Sequence, residues 1–499
     1  MFYESTRGKH SSISSAEAIK LGIAPDGGLF VPSEPVTVSE ELINRMTGLT
    51  YNQRAEEVLR LYLTDFTPQE LKDCVYNAYN EEKFDHGLIT PLHKLSDKVF
   101  ILELWHGPTC AFKDIALQIL PHLLTRSAQK TGETDDIVIL VATSGDTGKA
   151  ALEGFKNVPQ TKIVVFYPNE GVSQVQKQQM VTQEGNNVSV VAVQGNFDDA
   201  QTGVKNIFGN AAAIDKFKRQ HYKFSSANSI NWGRLVPQVV YYFSAYADLL
   251  KMEEINSGEA INFVVPTGNF GNILAAFYAR CMGLPINRLI CAANENNVLT
   301  DFINSGIYDR ERLFKKTLSP SMDILISSNL ERLLYELTGH DSTKINEWMR
   351  ELKERGKYKV APDTYSKIKE IFWSDYASDQ ETLSTIKEIW KNYKYVMDTH
   401  TAVAQNVYAK YIAATGDKHK TVIASTASPF KFNESVVKAL LGEAAIQGKN
   451  EFELLNVLAD TGSLAIPKGL QNLDSKPVLH KQVVAKEEML AAVENIILS

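Results

Sequence analysis

Apolar positions along this chain recur with two periods. Short β-branched runs fall at 99–104, 137–142, 162–166, 188–193, 261–265, 289–292 and 421–424, each the length of a buried strand. Between them, apolar residues recur at helical spacing over 115–126, 148–155, 173–183, 198–208, 235–252 and 272–282. Continuous apolar strands alternating with amphipathic helices predict an α/β protein whose largely parallel sheet is covered on both faces. Residues 1–90 read as mainly helical, with periodic apolar positions at 40–46 and 55–63. The stretch 331–394 is dense in Lys and Glu and reads as a solvated helical insertion.

With 499 residues the chain exceeds one core, so two or three domains are expected. A hydrophobic fraction of 44% with 22% charged residues excludes disordered and fibrous classes. No apolar run reaches the length of a membrane span, so no membrane partner is expected. The net charge of −7 lacks the basic surplus of a nucleic-acid binder. Cys74, Cys110, Cys281 and Cys291 form no CxxC pair or zinc spacing and read as reduced thiols, with no metal site. The first residues show no secretory pattern. The expectation is a cytoplasmic protein acting on small molecules.

In open α/β sheets ligands bind beyond the carboxyl ends of the strands. Three strand-to-helix loops therefore matter. Thr143-Ser144-Gly145-Asp146-Thr147-Gly148 offers glycines and unpaired helix N–H groups to an anion. The same residues also fit a plain capped turn. Gly148-Lys149 resembles the end of a nucleotide-binding P-loop, but Thr143 and Ala150 stand where that motif needs Gly and Ser or Thr, which disfavours an NTPase or kinase. Gly268-Asn269-Phe270-Gly271-Asn272 suits a phosphate cradle, or a packing turn. His106-Gly107-Pro108-Thr109-Cys110-Ala111-Phe112-Lys113-Asp114 is expected to cap a helix with Thr109 and to set Lys113 in its opening turns. A helix N-terminus and apolar neighbours both favour the free amine, the form that makes an imine. A surface lysine passing Phe112 is the alternative. Together the three loops suggest pyridoxal 5′-phosphate (PLP), which needs an amine, phosphate donors and a partner for its ring nitrogen.

The chain resembles the threonine synthase family in its longer fungal and bacterial form. Further segments carry the likeness: Tyr3-Glu4-Ser5-Thr6-Arg7-Gly8, Ala24-Pro25-Asp26-Gly27-Gly28-Leu29, Ser226-Ala227-Asn228-Ser229-Ile230-Asn231-Trp232-Gly233-Arg234 and Ser425-Thr426-Ala427-Ser428-Pro429. The resemblance implies the tryptophan synthase β-like, fold-type II architecture. Its N-terminal domain would span 1–90, its small lobe 136–259, and its large lobe 91–135 with 260–499. It implies that Lys113 holds PLP and moves protons, that Gly268, Asn269, Phe270 and Asn272 hold the phosphate, and that Thr426, with Ser425, faces the ring nitrogen. Asp146 would lie near the ring's phenolic oxygen. Ser144 and Thr147 would take the substrate carboxylate and Arg234 its phosphate, since guanidinium matches phosphate geometry. The implied reaction turns O-phospho-L-homoserine and water into L-threonine and phosphate, in a monomer or homodimer. A phosphohomoserine lyase or a serine/threonine dehydratase of the same fold is the alternative. Two departures stand out: Thr399 where relatives carry Pro before His400, and Ser428 where they carry His. His400 is expected to cap a helix or order a site loop, and His106 to line the site or scaffold its turn.

Overall fold

The computed structural model describes every residue but Ser144, Gly171 and Ser499, and only the backbone of Asp198. Its strands are β1 (Tyr3–Ser5), β2 (Phe30–Pro32), β3 (Leu92–Lys94), β4 (Val99–Glu103), β5 (Asp136–Ala142), β6 (Thr161–Pro168), β7 (Val188–Gln194), β8 (Tyr222–Ser225), β9 (Ile261–Pro266), β10 (Ile286–Ala293), β11 (Ile307–Asp309), β12 (Lys357–Lys359), β13 (Phe372–Tyr376), β14 (Thr421–Ser425) and β15 (Val483–Ala485).

Two sheets dominate. One has the order β13-β10-β9-β14-β4-β3 and is parallel except where β3 meets β4. The other, β15-β7-β6-β5-β8, is parallel throughout. Strand β5 shows why such runs carry no polar face. Ile137, Ile139 and Val141 enter the main core, whereas Val138 and Leu140 enter a second core closed by helices Phe197–Phe208 and Met489–Leu498.

The seven expected strands are present, and the differences are instructive. The segment 115–126 is two helices, Lys113–Leu117 and Leu120–Lys130, because Pro121 has no N–H to give the Leu117 carbonyl and so cannot continue the first helix. The stretch 331–394 is not a solvated insertion. It supplies edge strand β13, parallel to β10, and Arg332, which is fully buried. The Arg332 guanidinium donates to the carbonyls of Phe30 at 3.0 Å and Ile230 at 2.6 Å and to Asn329 Oδ1 at 2.7 Å. Beside it, Arg7 grips Glu331 through two bonds of 2.6 and 2.9 Å. These residues tie the N-terminal segment to the body of the protein. The expected lobe boundaries also shift. Strand β15 returns to pair with β7, although it falls within 260–499, the span expected for the other lobe. Helix Pro237–Lys251, assigned to the small lobe, packs on helices Tyr51–Tyr62 and Gly271–Cys281. A free strand edge and an apolar helix face are each covered by whichever element fits, whatever its distance along the chain.

The loops that follow β4, β5, β8, β9 and β14 all leave the carboxyl ends of their strands. They carry Lys113, Asp146, Arg234, the Gly268 segment and Thr426 respectively.

Candidate active site

The loop after β4 is fastened to the loop after β14. Phe112 donates its N–H to the Thr426 carbonyl at 2.8 Å, Ser428 donates to the Cys110 carbonyl at 3.0 Å, and Ala111 bridges Ala427. This zipper sets the base of Lys113 against Thr426. Thr109 is not the helix cap. Its N–H and its hydroxyl each donate to the Asp114 carboxylate, both at 2.8 Å. The helix begins at Lys113 without a side-chain cap. Asp114 is fully buried, and burial pushes its carboxyl up to about 6 against these two bonds.

The Lys113 side chain is 11% exposed, so it is not a surface lysine. Its Nζ lies 3.5 Å from Asp146 Oδ2, 3.5 Å from Ser321 Oγ and 5.1 Å from the Phe112 ring centre. Burial lowers its pKa. Asp146 opposes that shift, while the Arg234 and Lys431 cations add to it.

Asp146 opens helix Asp146–Phe155 and is itself buried. Gln176 Nε2 donates to Oδ1 at 2.9 Å, Ser321 Oγ donates to Oδ2 at 3.2 Å, and Lys431 Nζ lies 2.6 Å from Oδ1. Burial resists ionisation, but the Lys431 and Lys113 cations hold the carboxyl well below the usual carboxylate range. Thr147 is half-buried on the next helical position, and Ser144 lies outside the described residues.

After β9 the chain makes a cradle. The carbonyl of Gly268 accepts from Ser327 Oγ at 2.8 Å, and that of Asn269 from Asn329 N–H and Nδ2, both at 3.2 Å. Trans peptide geometry then aims the N–H groups of Asn269 and Phe270 the opposite way. Phe270 has φ = 64°, and helix Gly271–Cys281 begins immediately after it with its first N–H groups free of intrahelical acceptors. Asn272 is held by its oxygen, which accepts from Tyr241 and Tyr242 hydroxyls at 2.6 Å each, leaving its buried Nδ2 without a partner among the described residues.

Arg234, on the short helix Trp232–Leu235, is buried and gives one bond, from Nη1 to the Ala227 carbonyl at 2.7 Å. Among the described residues no carboxylate pairs with it. Burial pushes its pKa down to about 10, so it stays charged at neutral pH. Thr426 has no partner for its hydroxyl among the described residues. Ser425 is already occupied, its Oγ accepting from Trp105 Nε1 and Thr401 Oγ1, both at 3.0 Å.

His400 orders the site rather than entering it. Its Nδ1–H donates to Asp398 at 3.0 Å, and its Nε2 accepts from the Ser321 N–H at 3.1 Å. Asp398, not His400, caps helix Thr399–Thr415. Thr399 holds the first helical position, where a proline's missing N–H costs nothing. Ser428 caps the 3₁₀ turn Pro429–Phe432. His106 scaffolds its turn between Asp85 at 2.7 Å and Glu103 at 2.8 Å. Sequence reasoning missed Ser321, Gln176, Tyr241, Tyr242 and Lys431. Only Lys431 left a signal: a lysine between two phenylalanines directly after the Ser425–Pro429 motif.

An amine, an N–H cradle and a lone hydroxyl thus lie at the strand ends of two largely parallel sheets. A family model described as "Pyridoxal-phosphate dependent enzyme" matches residues 84–368. Models described as "Threonine synthase N terminus" and "Threonine synthase, C-terminal" match 2–79 and 401–497. The chain is 38% identical to a threonine synthase of Schizosaccharomyces pombe over 88% of this chain and 89% of that one. A crystal structure of PLP-bound threonine synthase from Brucella melitensis matches with a TM-score of 0.87 and 35% identity, covering 99% of this chain and 98% of that one. "Threonine synthase-like 1" of Homo sapiens is 41% identical over 85% of this chain, which spans only 58% of that relative's length. The chain belongs to the threonine synthase family.

The residues present fit the family's cofactor. Asn272 offers an unpartnered amide to a phosphate. A β-carbon on Gly268 would come within 2.9 Å of the Ser321 carbonyl oxygen, so only glycine keeps the cradle's shape. Lys113 supplies a buried amine with a lowered pKa.

Proposed function

We propose that this chain is a threonine synthase, converting O-phospho-L-homoserine and water into L-threonine and phosphate in amino-acid biosynthesis. PLP, when bound, supplies the electron sink for charge that develops beside the substrate's amino group. Lys113 Nζ would hold the cofactor at its aldehyde carbon, and its free amine would move protons at the substrate's Cα and Cβ. Asn269, Phe270 and Asn272 donate to the cofactor phosphate, with Gly268 leaving room for it. The Thr426 hydroxyl would face the ring nitrogen; unlike a carboxylate, a hydroxyl does not enforce ring protonation. Asp146 would lie toward the ring's phenolic oxygen, and Thr147 with Ser144 would take the substrate carboxylate. Arg234 binds the substrate phosphate and stabilises it as it leaves.

The observation that carries this reading is a largely buried amine in the same site as a buried guanidinium that no carboxylate among the described residues pairs with. A dehydratase acting on an unphosphorylated hydroxy amino acid has no use for such a charge. A phosphohomoserine lyase does, and the product separates the two. With O-phospho-L-homoserine, one threonine per phosphate released is expected; 2-oxobutyrate in its place would overturn the assignment. We place the enzyme in the cytoplasm because its four cysteines are all free thiols, and read it as a monomer or homodimer of three units, an N-terminal domain and two lobes.

A further inference from the structure

Lys431 enters neither the family motifs quoted above nor the roles just assigned. Its side chain is wholly buried, and its ammonium has three donors with three acceptors in place: Asp146 Oδ1 at 2.6 Å, the Thr109 carbonyl at 3.1 Å and Gln179 Oε1 at 3.3 Å. A saturated, inaccessible ammonium is not a substrate-binding group. Its partners reveal its task. Thr109 belongs to the loop that carries Lys113, while Asp146 and Gln179 belong to the helices after β5 and β6. Lys431 therefore joins the lysine-bearing loop to the carboxylate that faces the lysine. It also stands nearer to that carboxylate, 2.6 Å against 3.5 Å for Lys113.

We propose that Lys431 is a positioning residue that neutralises the Asp146 carboxylate, so that Asp146 fixes the place of the Lys113 amine without holding a proton on it. An unpaired Asp146 would instead bind Lys113 as an ammonium, which has no lone pair for a carbonyl carbon. The charged groups facing Lys113 are Asp146, Arg234 and Lys431. Around Lys431 lie Asp114, buried with a raised pKa, and the Cys110 thiol, which burial raises to about 12 and keeps neutral.

This inference rests on the PLP reading of Lys113, and the test separates the two. The full-length chain, stripped of cofactor, is mixed with PLP across pH 6–10, and the rate of linkage at Lys113 is read by borohydride trapping and peptide mass. In that linkage the Nζ lone pair forms the bond to carbon and the carbonyl oxygen leaves as water. For Lys431→Met the midpoint of the pH–rate profile is expected to rise by about one unit, slowing linkage near neutrality about tenfold. Asp146→Asn is expected to move it the other way, and Lys431→Arg to restore the wild-type profile. If Lys431→Met does not fold, Lys431→Gln, which keeps polar contacts and drops the charge, is expected to raise the midpoint likewise, and an unchanged midpoint in that variant overturns the inference. Unchanged midpoints, or shifts of the same sign in both variants, overturn the inference. Absence of any linkage at Lys113 in the wild-type chain overturns the reading beneath it.

Discussion

A β-carbon on Gly107 would overlap the Asp114 β-carbon and lie 2.6 Å from Asp114 Oδ2. The two residues flank the turn that delivers Lys113, and Asp114 is held there by both donors of Thr109. Gly107→Ala must displace Asp114 or the backbone. Overpacking of this kind costs about 1–3 kcal/mol. A lower melting temperature and weaker retention of PLP on dialysis are expected; wild-type behaviour in both would refute the role given to this contact.

Asn272 points its free Nδ2 where the cofactor phosphate is proposed to bind. Asn272→Ala removes a bond to a charged group worth about 1.5–3 kcal/mol, a ten- to hundredfold loss of PLP affinity in a fluorescence titration. Tyr242→Phe leaves the amide in place and loosens its hold, so a smaller loss is expected. Equal losses in both would contradict the account of the amide as donor.

Arg234→Met removes the one charge proposed to meet the substrate phosphate. Truncating a buried charged partner costs about 2–5 kcal/mol, so kcat/KM for O-phospho-L-homoserine should fall at least thirtyfold. Inhibition by inorganic phosphate should weaken in parallel. Unaltered phosphate inhibition would remove Arg234 from the substrate site.

His106 predicts a pH dependence of stability. Burial alone would lower its pKa, but the bonds to Asp85 and Glu103 raise it to about 9. A raised pKa means the contribution is complete below the unfolded value of about 6.5 and is lost as pH climbs through 9. Thermal melts of the wild type should therefore lose up to roughly 3 kcal/mol between pH 6.5 and 9.5 relative to His106→Gln. Parallel curves for the two proteins would show that the ion pairs carry no net stabilisation.

What the sequence disclosed depended on how local the cause was. Strands such as β5 and β9 were legible because doubly covered parallel strands are apolar at every position. Strand β13 was not, because Phe372-Trp373-Ser374-Asp375-Tyr376 is short, mixes polar with aromatic residues and sits between charged helices. The glycine loops were visible since close backbone approach leaves a residue-type signature. The Thr109 cap was misjudged because the local hydrogen bond runs to Asp114 rather than along the helix. Ser321 left no signal, and the phenylalanines flanking Lys431 mark it as buried without naming its partner, because Asp146 is remote in sequence.

Borohydride reduction of the holoprotein, followed by proteolysis and mass spectrometry, tests the central claim most directly. The account predicts a single pyridoxyl adduct on the peptide containing Lys113. An adduct on Lys431 or any other lysine, with Lys113 unmodified, would contradict it.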